Sequence, residues 1–122
     1  MTGVELHYQE LNLIQVLDVL REGGVAHLAL AGKGRPYVVP VMFQLEMRGT
    51  EPVLHLASPA EGRKMSVLQA NDRVCLEIMR PACAWIDTVL AEGRGMIRSC
   101  EGGAEVLVLP ETITGRRFFR PA

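Results

Sequence analysis

Between Ser58 and Lys64 the chain brings together a hydroxyl, a proline, a glutamate, a glycine and two adjacent cations, all within seven residues. A phosphoryl group is held by fixed positive charge together with hydroxyl or backbone donors. The best place for it is a helix start, where free N–H groups and the helix dipole favour an anion. Ser58, Arg63 and Lys64 supply that set. The same residues also read as plain architecture, with Ser58 as a helix cap and Arg63-Lys64 as the solvated face of a surface helix. Elsewhere His55 reads as a strand histidine, and Trp85, the only tryptophan, as a core or interface ring. Cys75, Cys83 and Cys100 are odd in number, and no two are spaced as in zinc or redox motifs. They read as reduced, buried thiols, because no neighbouring His or basic residue lowers a thiol pKa. No paired carboxylates and no Ser/His/Asp arrangement stand out.

These residues need elements to position them. Over residues 10–21, Leu11, Ile14, Val16, Leu17, Val19 and Leu20 recur at helical spacing, and Gly23-Gly24 supplies a stop, which predicts an amphipathic helix. From 25 to 31 the period changes to two, and Gly32-Lys33-Gly34-Arg35-Pro36 reads as a hairpin turn. Strands over 37–47 and 53–57 follow, giving an antiparallel meander. Ser58-Pro59-Ala60-Glu61 has the form of a capping box with Pro at the first helical position, which predicts a short helix over 59–70. Further strands fit 73–79, 84–92, 95–98 and 105–109. The reading is mainly β: a six-stranded antiparallel barrel in one domain over 1–122, with 110–122 as a C-terminal arm.

Composition narrows the function. Hydrophobic residues at 48% and charged residues at 22% are ordinary for a folded domain. A net charge of -1 gives no drive toward nucleic acid or anionic lipid. No apolar run approaches the roughly 20 residues of a membrane-spanning helix, and no signal pattern opens the chain, so a soluble cytoplasmic protein is expected. The segment Gly115-Arg116-Arg117-Phe118-Phe119-Arg120 interleaves cations and aromatics, as a nucleic-acid contact would. On a neutral chain it reads rather as an arm packing its rings on its own barrel or on a partner subunit, and no nucleic-acid partner is expected.

The succession Gly24-Val25-Ala26-His27-Leu28-Ala29, Pro36-Tyr37-Val38-Val39-Pro40-Val41, Leu54-His55-Leu56-Ala57-Ser58, Glu61-Gly62-Arg63-Lys64 and Asn71-Asp72-Arg73-Val74-Cys75 resembles the pyridoxamine 5′-phosphate oxidase-like FMN-binding split-barrel family, nearest its nitroimidazole-resistance-type flavoproteins. The resemblance spans residues 10–98. It implies a split barrel and a homodimer with FMN at the subunit interface. Val38, Val39, Pro40 and Val41 would then offer backbone to the flavin ring, Ser58, Arg63 and Lys64 would take the phosphate, and Trp85 and Thr88 would reach the partner's flavin. It further implies an oxidoreductase passing electrons from a reduced nicotinamide, NADH or NADPH, to a small-molecule acceptor. The alternatives are a carrier that holds FMN without a dedicated substrate, and a barrel using haem or deazaflavin. Ala57 stands where the nitroimidazole-type branch often carries a histidine. His55 lies on the same strand face but about 7 Å away.

Overall fold

The computed structural model describes residues 6–121, so the ends of the expected 1–122 domain lie outside the described residues. The elements run β1 (Tyr8–Glu10), α1 (Leu13–Arg21), β2 (Gly24–Gly32), β3 (Arg35–Arg48), β4 (Glu51–Ser58), α2 (Arg63–Ala70), β5 (Arg73–Pro81), β6 (Trp85–Cys100) and β7 (Gly103–Phe119). The sheet order is β1-β7-β4-β3-β2-β5-β6, and β7 also pairs with β6. Six strands therefore close an antiparallel ring, and β1 hangs on β7 outside it. This is the expected six-stranded barrel with one short strand added.

Alternation places the core. Along β2, Ala26, Leu28 and Leu30 are buried, and Leu76 of β5, Val89 of β6 and Val106 and Val108 of β7 join them inside the ring with Phe43, Leu54 and Leu56. Val16, Val19 and Leu20 of α1 pack into the same cluster, so the helix closes one end of the barrel. It begins later than the periodicity suggests because Asn12 caps it. Asn12 Oδ1 accepts from the Gln15 N–H and Gln15 Oε1 accepts from the Asn12 N–H, each at 2.9 Å. The residues before the cap are already committed to β1.

Three expectations are corrected. The helix predicted over 59–70 starts at Arg63, with Gly62 as its N-cap at φ 118, a conformation that glycine adopts without strain. Ser58 is instead the last residue of β4, opposite Ala104 of β7. The separate strands expected at 84–92 and 95–98 are one strand, β6, bent by a register shift at Glu92/Gly93. A Cβ at Gly93 would collide with the Leu109 carbonyl, so only glycine fits there. Pro110 sits opposite Gly93, at the irregularity where a missing backbone donor is tolerated. Finally, residues 110–119 form no separate arm. They continue β7, pairing with β6 up to Trp85↔Phe119 and with β1 through Tyr8↔Phe118. The aromatic rings do pack on their own barrel: Tyr8 lies 5.7 Å from Phe118, and Trp85 lies 6.5 Å from Phe119 edge to face.

Among the described residues no helix is long and apolar enough to cross a membrane. The cysteines are free, but only Cys75 is partly buried, while Cys83 and Cys100 are exposed, which corrects the expectation of buried thiols. Burial, with Glu92 and Glu77 nearby, pushes the Cys75 thiol above its ordinary value, so it is the less reactive protonated form.

Candidate functional site

The later start of α2 changes the chemistry at its head. Arg63 and Lys64 occupy its first turn, where the partial positive charge of the helix end makes a cation unfavourable, and no side chain caps the free N–H groups. Arg63 lies 4.1 Å over the Tyr37 ring at the beginning of β3, a cation–π contact that holds the guanidinium against that strand. Lys64 is partly buried, and desolvation pulls its ammonium below the ordinary lysine value. Among the described residues no carboxylate pairs with either cation. The two charges and the free backbone donors of the first turn could together hold an anion.

Ser58 is near in sequence but turned away. It is buried, its Oγ donates to the Pro59 carbonyl at 2.9 Å, and it faces Met65 Sδ at 3.7 Å inside the barrel. Arg63 and Lys64 stand at the head of α2, and the serine hydroxyl is directed elsewhere.

Strand β3 leaves from under Arg63. Val38 and Pro40 are exposed, Val39 is half-buried and Val41 is buried, so two of the four predicted ring-contacting residues face outward. Pairing carries the outward face across the sheet: Pro40 is opposite His27, His27 opposite Glu77, Glu77 opposite Leu90 and Leu90 opposite Thr114. Val25, Val38, Met42, Met79 and Leu90 are all more than a third exposed on this side, an unusually apolar exterior for a barrel. Thr88 belongs to it, lining an open groove of about 670 Å³ with Leu90, Thr114 and Arg116. Trp85 does not. It shares the inward parity of Asp87, and Arg117 lies 4.2 Å over its ring. Strand pleating therefore separates Thr88 and Trp85, which the family resemblance groups.

Sequence reasoning missed two charge networks. Asp87 is 1% exposed and accepts from Arg117 Nε at 2.8 Å and Nη2 at 3.1 Å, with Arg80 at 3.4 Å. The Arg117 guanidinium holds the Asp87 carboxyl below the usual carboxylate range. Arg80 also reaches Glu22 at 3.3 Å, tying the end of α1 to the barrel. The second network lies on the outer face of β3, β4 and β7. His55 Nε2 meets Glu46 at 2.8 Å and its Nδ1 meets Glu105 in a shorter contact, while Arg48 and Arg98 pair with those carboxylates. The hydrogen bonds from Glu46 and Glu105 raise the His55 pKa and lower those of both carboxylates. Gln44 opposite His55, and Glu46 one pleat away, is a cross-strand relation that no linear motif displays.

The chain matches the family model described as pyridoxamine 5′-phosphate oxidase over residues 14–94. No curated protein matches by sequence. Among solved structures it is similar to an FAD-binding protein from Mesorhizobium loti, with TM-score 0.81 and 20% identity, covering 93% of this chain and 98% of that one. An FAD-binding protein from Mycobacterium smegmatis is similar with TM-score 0.77 and 19% identity, covering 91% and 98%. A protein from Bacteroides thetaiotaomicron assigned to 5-nitroimidazole antibiotic resistance is similar with TM-score 0.77 and 16% identity, covering 98% and 95%. With the family model matching about two thirds of its length on a closed six-stranded ring, the chain belongs to the pyridoxamine 5′-phosphate oxidase family of split barrels.

Proposed function

We propose that this protein binds a flavin, FMN, with its phosphate at the head of α2 and its ring along the outer side of β3, and that it works as a homodimer. In this reading it transfers electrons in the cytoplasm from a reduced nicotinamide to a small acceptor. The observation that carries the proposal is the pair Arg63 and Lys64, two cations without a counter-charge in the first turn of an uncapped helix. Placing cations there costs stability unless an anion joins them, and a dianionic phosphate meets that need. The names of the Mesorhizobium and Mycobacterium neighbours, both FAD-binding, support the flavin class. Within that class the choice of FMN follows the resemblance of the Gly62-Arg63-Lys64 segment to the FMN-binding split barrels.

When bound, a flavin supplies the hydride chemistry, and the protein's share is to anchor, orient and shield it. Arg63 and Lys64 anchor. Val38 and Pro40 give the ring an apolar bed, and pairing to β2 holds that bed in place. The exposed apolar row of Val25, Val38, Met42, Met79 and Leu90 is the surface a second copy would cover, shielding the ring from water. One feature favours the carrier as a second reading: Ala57 is exposed and carries no proton donor, and both nitrogens of His55 are engaged by carboxylates.

The absorption spectrum of the purified protein, and identification of the cofactor released on denaturation, test the proposal. Flavin bands and released FMN are expected. A Soret band, or a colourless chain that takes up neither FMN nor FAD, overturns it. Turnover of NADH or NADPH with added acceptors separates the reductase from the carrier.

A further inference from the structure

On the outer face of the barrel, Val25, Val38, Pro40, Met42 and Met79 surround one ionisable pair, His27 of β2 and Glu77 of β5. His27 is directly opposite Pro40 on one side and Glu77 on the other. Side chains of directly opposed residues share a face with their Cβ atoms about 5 Å apart. His27 Nδ1 lies 3.4 Å from Glu77 Oε1, and both side chains are half-exposed. The contact turns Nδ1 toward β5, and Nε2 has no partner among the described residues. A carboxylate at Nδ1 fixes the tautomer, so Nε2 is the atom that takes up and gives off a proton. The other ionisable groups nearby on this face do not fill that role. Cys75, one outward position along β5 from Glu77, has its thiol pushed up by burial and by Glu92 and Glu77, and Glu92, opposite Cys75, accepts from Thr112 at 3.3 Å.

We infer that His27 is the proton-holding residue of the flavin site, with Nε2 beside the ring keeping the proton that balances the charge of its reduced form. Resting on the flavin reading above, His27 fills a role that Arg63, Lys64, Val38 and Pro40 leave open. Pro40 is three residues, about 10 Å, along β3 from Tyr37, whose ring carries Arg63, so a ring bedded on Pro40 lies beside His27. The reductive step balances as NAD(P)H + H⁺ + oxidised flavin + neutral His27 giving NAD(P)⁺ + anionic reduced flavin + protonated His27. The C–H bond broken on the nicotinamide supplies the hydride, and solvent supplies the proton that Nε2 holds. When the electrons leave for the acceptor, that proton leaves with them. Glu77 also lines the open groove with Thr88 and Arg116, so the pair joins the ring bed to water.

Two measurements on the FMN-loaded protein at about pH 8, where an imidazole is mostly neutral, test this. One is proton uptake on reduction by NADH or NADPH, read with an indicator dye in weak buffer. The other is the midpoint potential against a reference dye, which needs no nicotinamide and so applies to a carrier as well. The wild type should take up about one proton per flavin reduced, and His27→Gln less than about half of that. The affinity of His27→Gln for reduced flavin relative to oxidised flavin should fall about tenfold, which is a midpoint about 30 mV lower for a two-electron couple. His27→Lys should regain the potential without the uptake, because an ammonium already carries its proton. A purely structural role would weaken both oxidation states alike and leave the potential in place. Equal uptake in wild type and His27→Gln, or a potential unmoved by the substitution, overturns the inference alone. A wild type that takes up no flavin overturns the flavin reading and the inference with it.

Discussion

Strand β4 leads from one electrostatic world to another. At His55 every charge is answered: the order Arg48, Glu46, His55, Glu105, Arg98 alternates in sign from β3 through β4 and β7 to β6, each member touching the next. A few residues later, beyond Ser58, Arg63 and Lys64 stand with no carboxylate paired to them among the described residues and a helix dipole against them. The Asp87 cluster follows the first pattern in a drier setting. Charges that a fold pairs with each other hold strands in register. In the proposed reading, charges that it leaves unpaired, at a place that opposes them, receive a bound anion.

The largest effect expected from this division is at Asp87. Asp87→Ala leaves Arg117 and Arg80 without the buried carboxylate that holds them, and losing one partner of such a pair costs about 3–5 kcal/mol. Urea unfolding should show the midpoint falling well below that of the wild type. A shift worth under about 1 kcal/mol would show that the cluster is not structural.

The converse is expected at the head of α2. The double variant Arg63→Ala/Lys64→Ala should unfold no earlier than the wild type, because removing cations from a helix N-terminus relieves about 0.3–1 kcal/mol per charge. Its flavin affinity should nevertheless fall about tenfold to a hundredfold for each charged hydrogen bond lost, equivalent to about 1.5–3 kcal/mol. A variant that is less stable but binds flavin normally would place these cations among the structural charges.

A smaller effect is expected at His55 and should depend on pH. Its folded pKa is raised, so its stabilising contribution is complete below the unfolded value near 6.5 and is lost as pH rises through the folded value. Glu46 and Glu105 have lowered values, so their contribution is present above about 4.3 and is lost on acidification. The stability gap between wild type and His55→Gln should therefore be widest between about pH 4.3 and 6.5 and should close toward alkaline pH. A gap that is flat with pH would mean that the imidazole acts through packing alone. The smallest change is predicted for Ser58→Ala, whose hydroxyl is spent inside on the Pro59 carbonyl. Flavin affinity should stay within about twofold, and stability should fall by about 0.5–1.5 kcal/mol.

Much of this was legible in the chain. Period-two alternation in Ala26, Leu28 and Leu30 and the Lys33-Gly34 turn place the first hairpin, and the apolar spacing of Val16, Val19 and Leu20 places the helix that closes the barrel. Other features were hidden for physical reasons. Ser58-Pro59-Ala60-Glu61 is a sound capping signature, but pairing of Ser58 with Ala104 keeps it in the sheet and passes the cap to Gly62. The far half of β7 alternates poorly and contains Pro110, and it is held extended by β6 and β1, contacts that no local pattern encodes. The cations of the candidate site were visible as a pair. That they go unpaired, and that His55 and Asp87 do not, depends on partners 7 to 50 residues away.

The claim that the unpaired cations receive a flavin phosphate is tested most directly by titrating the flavin-free protein with FMN and following quenching of flavin fluorescence, in the wild type and in Arg63→Ala/Lys64→Ala. Stoichiometric binding by the wild type and binding at least tenfold weaker in the variant is the predicted result. Equal affinity in the two, or no binding by the wild type, would contradict it.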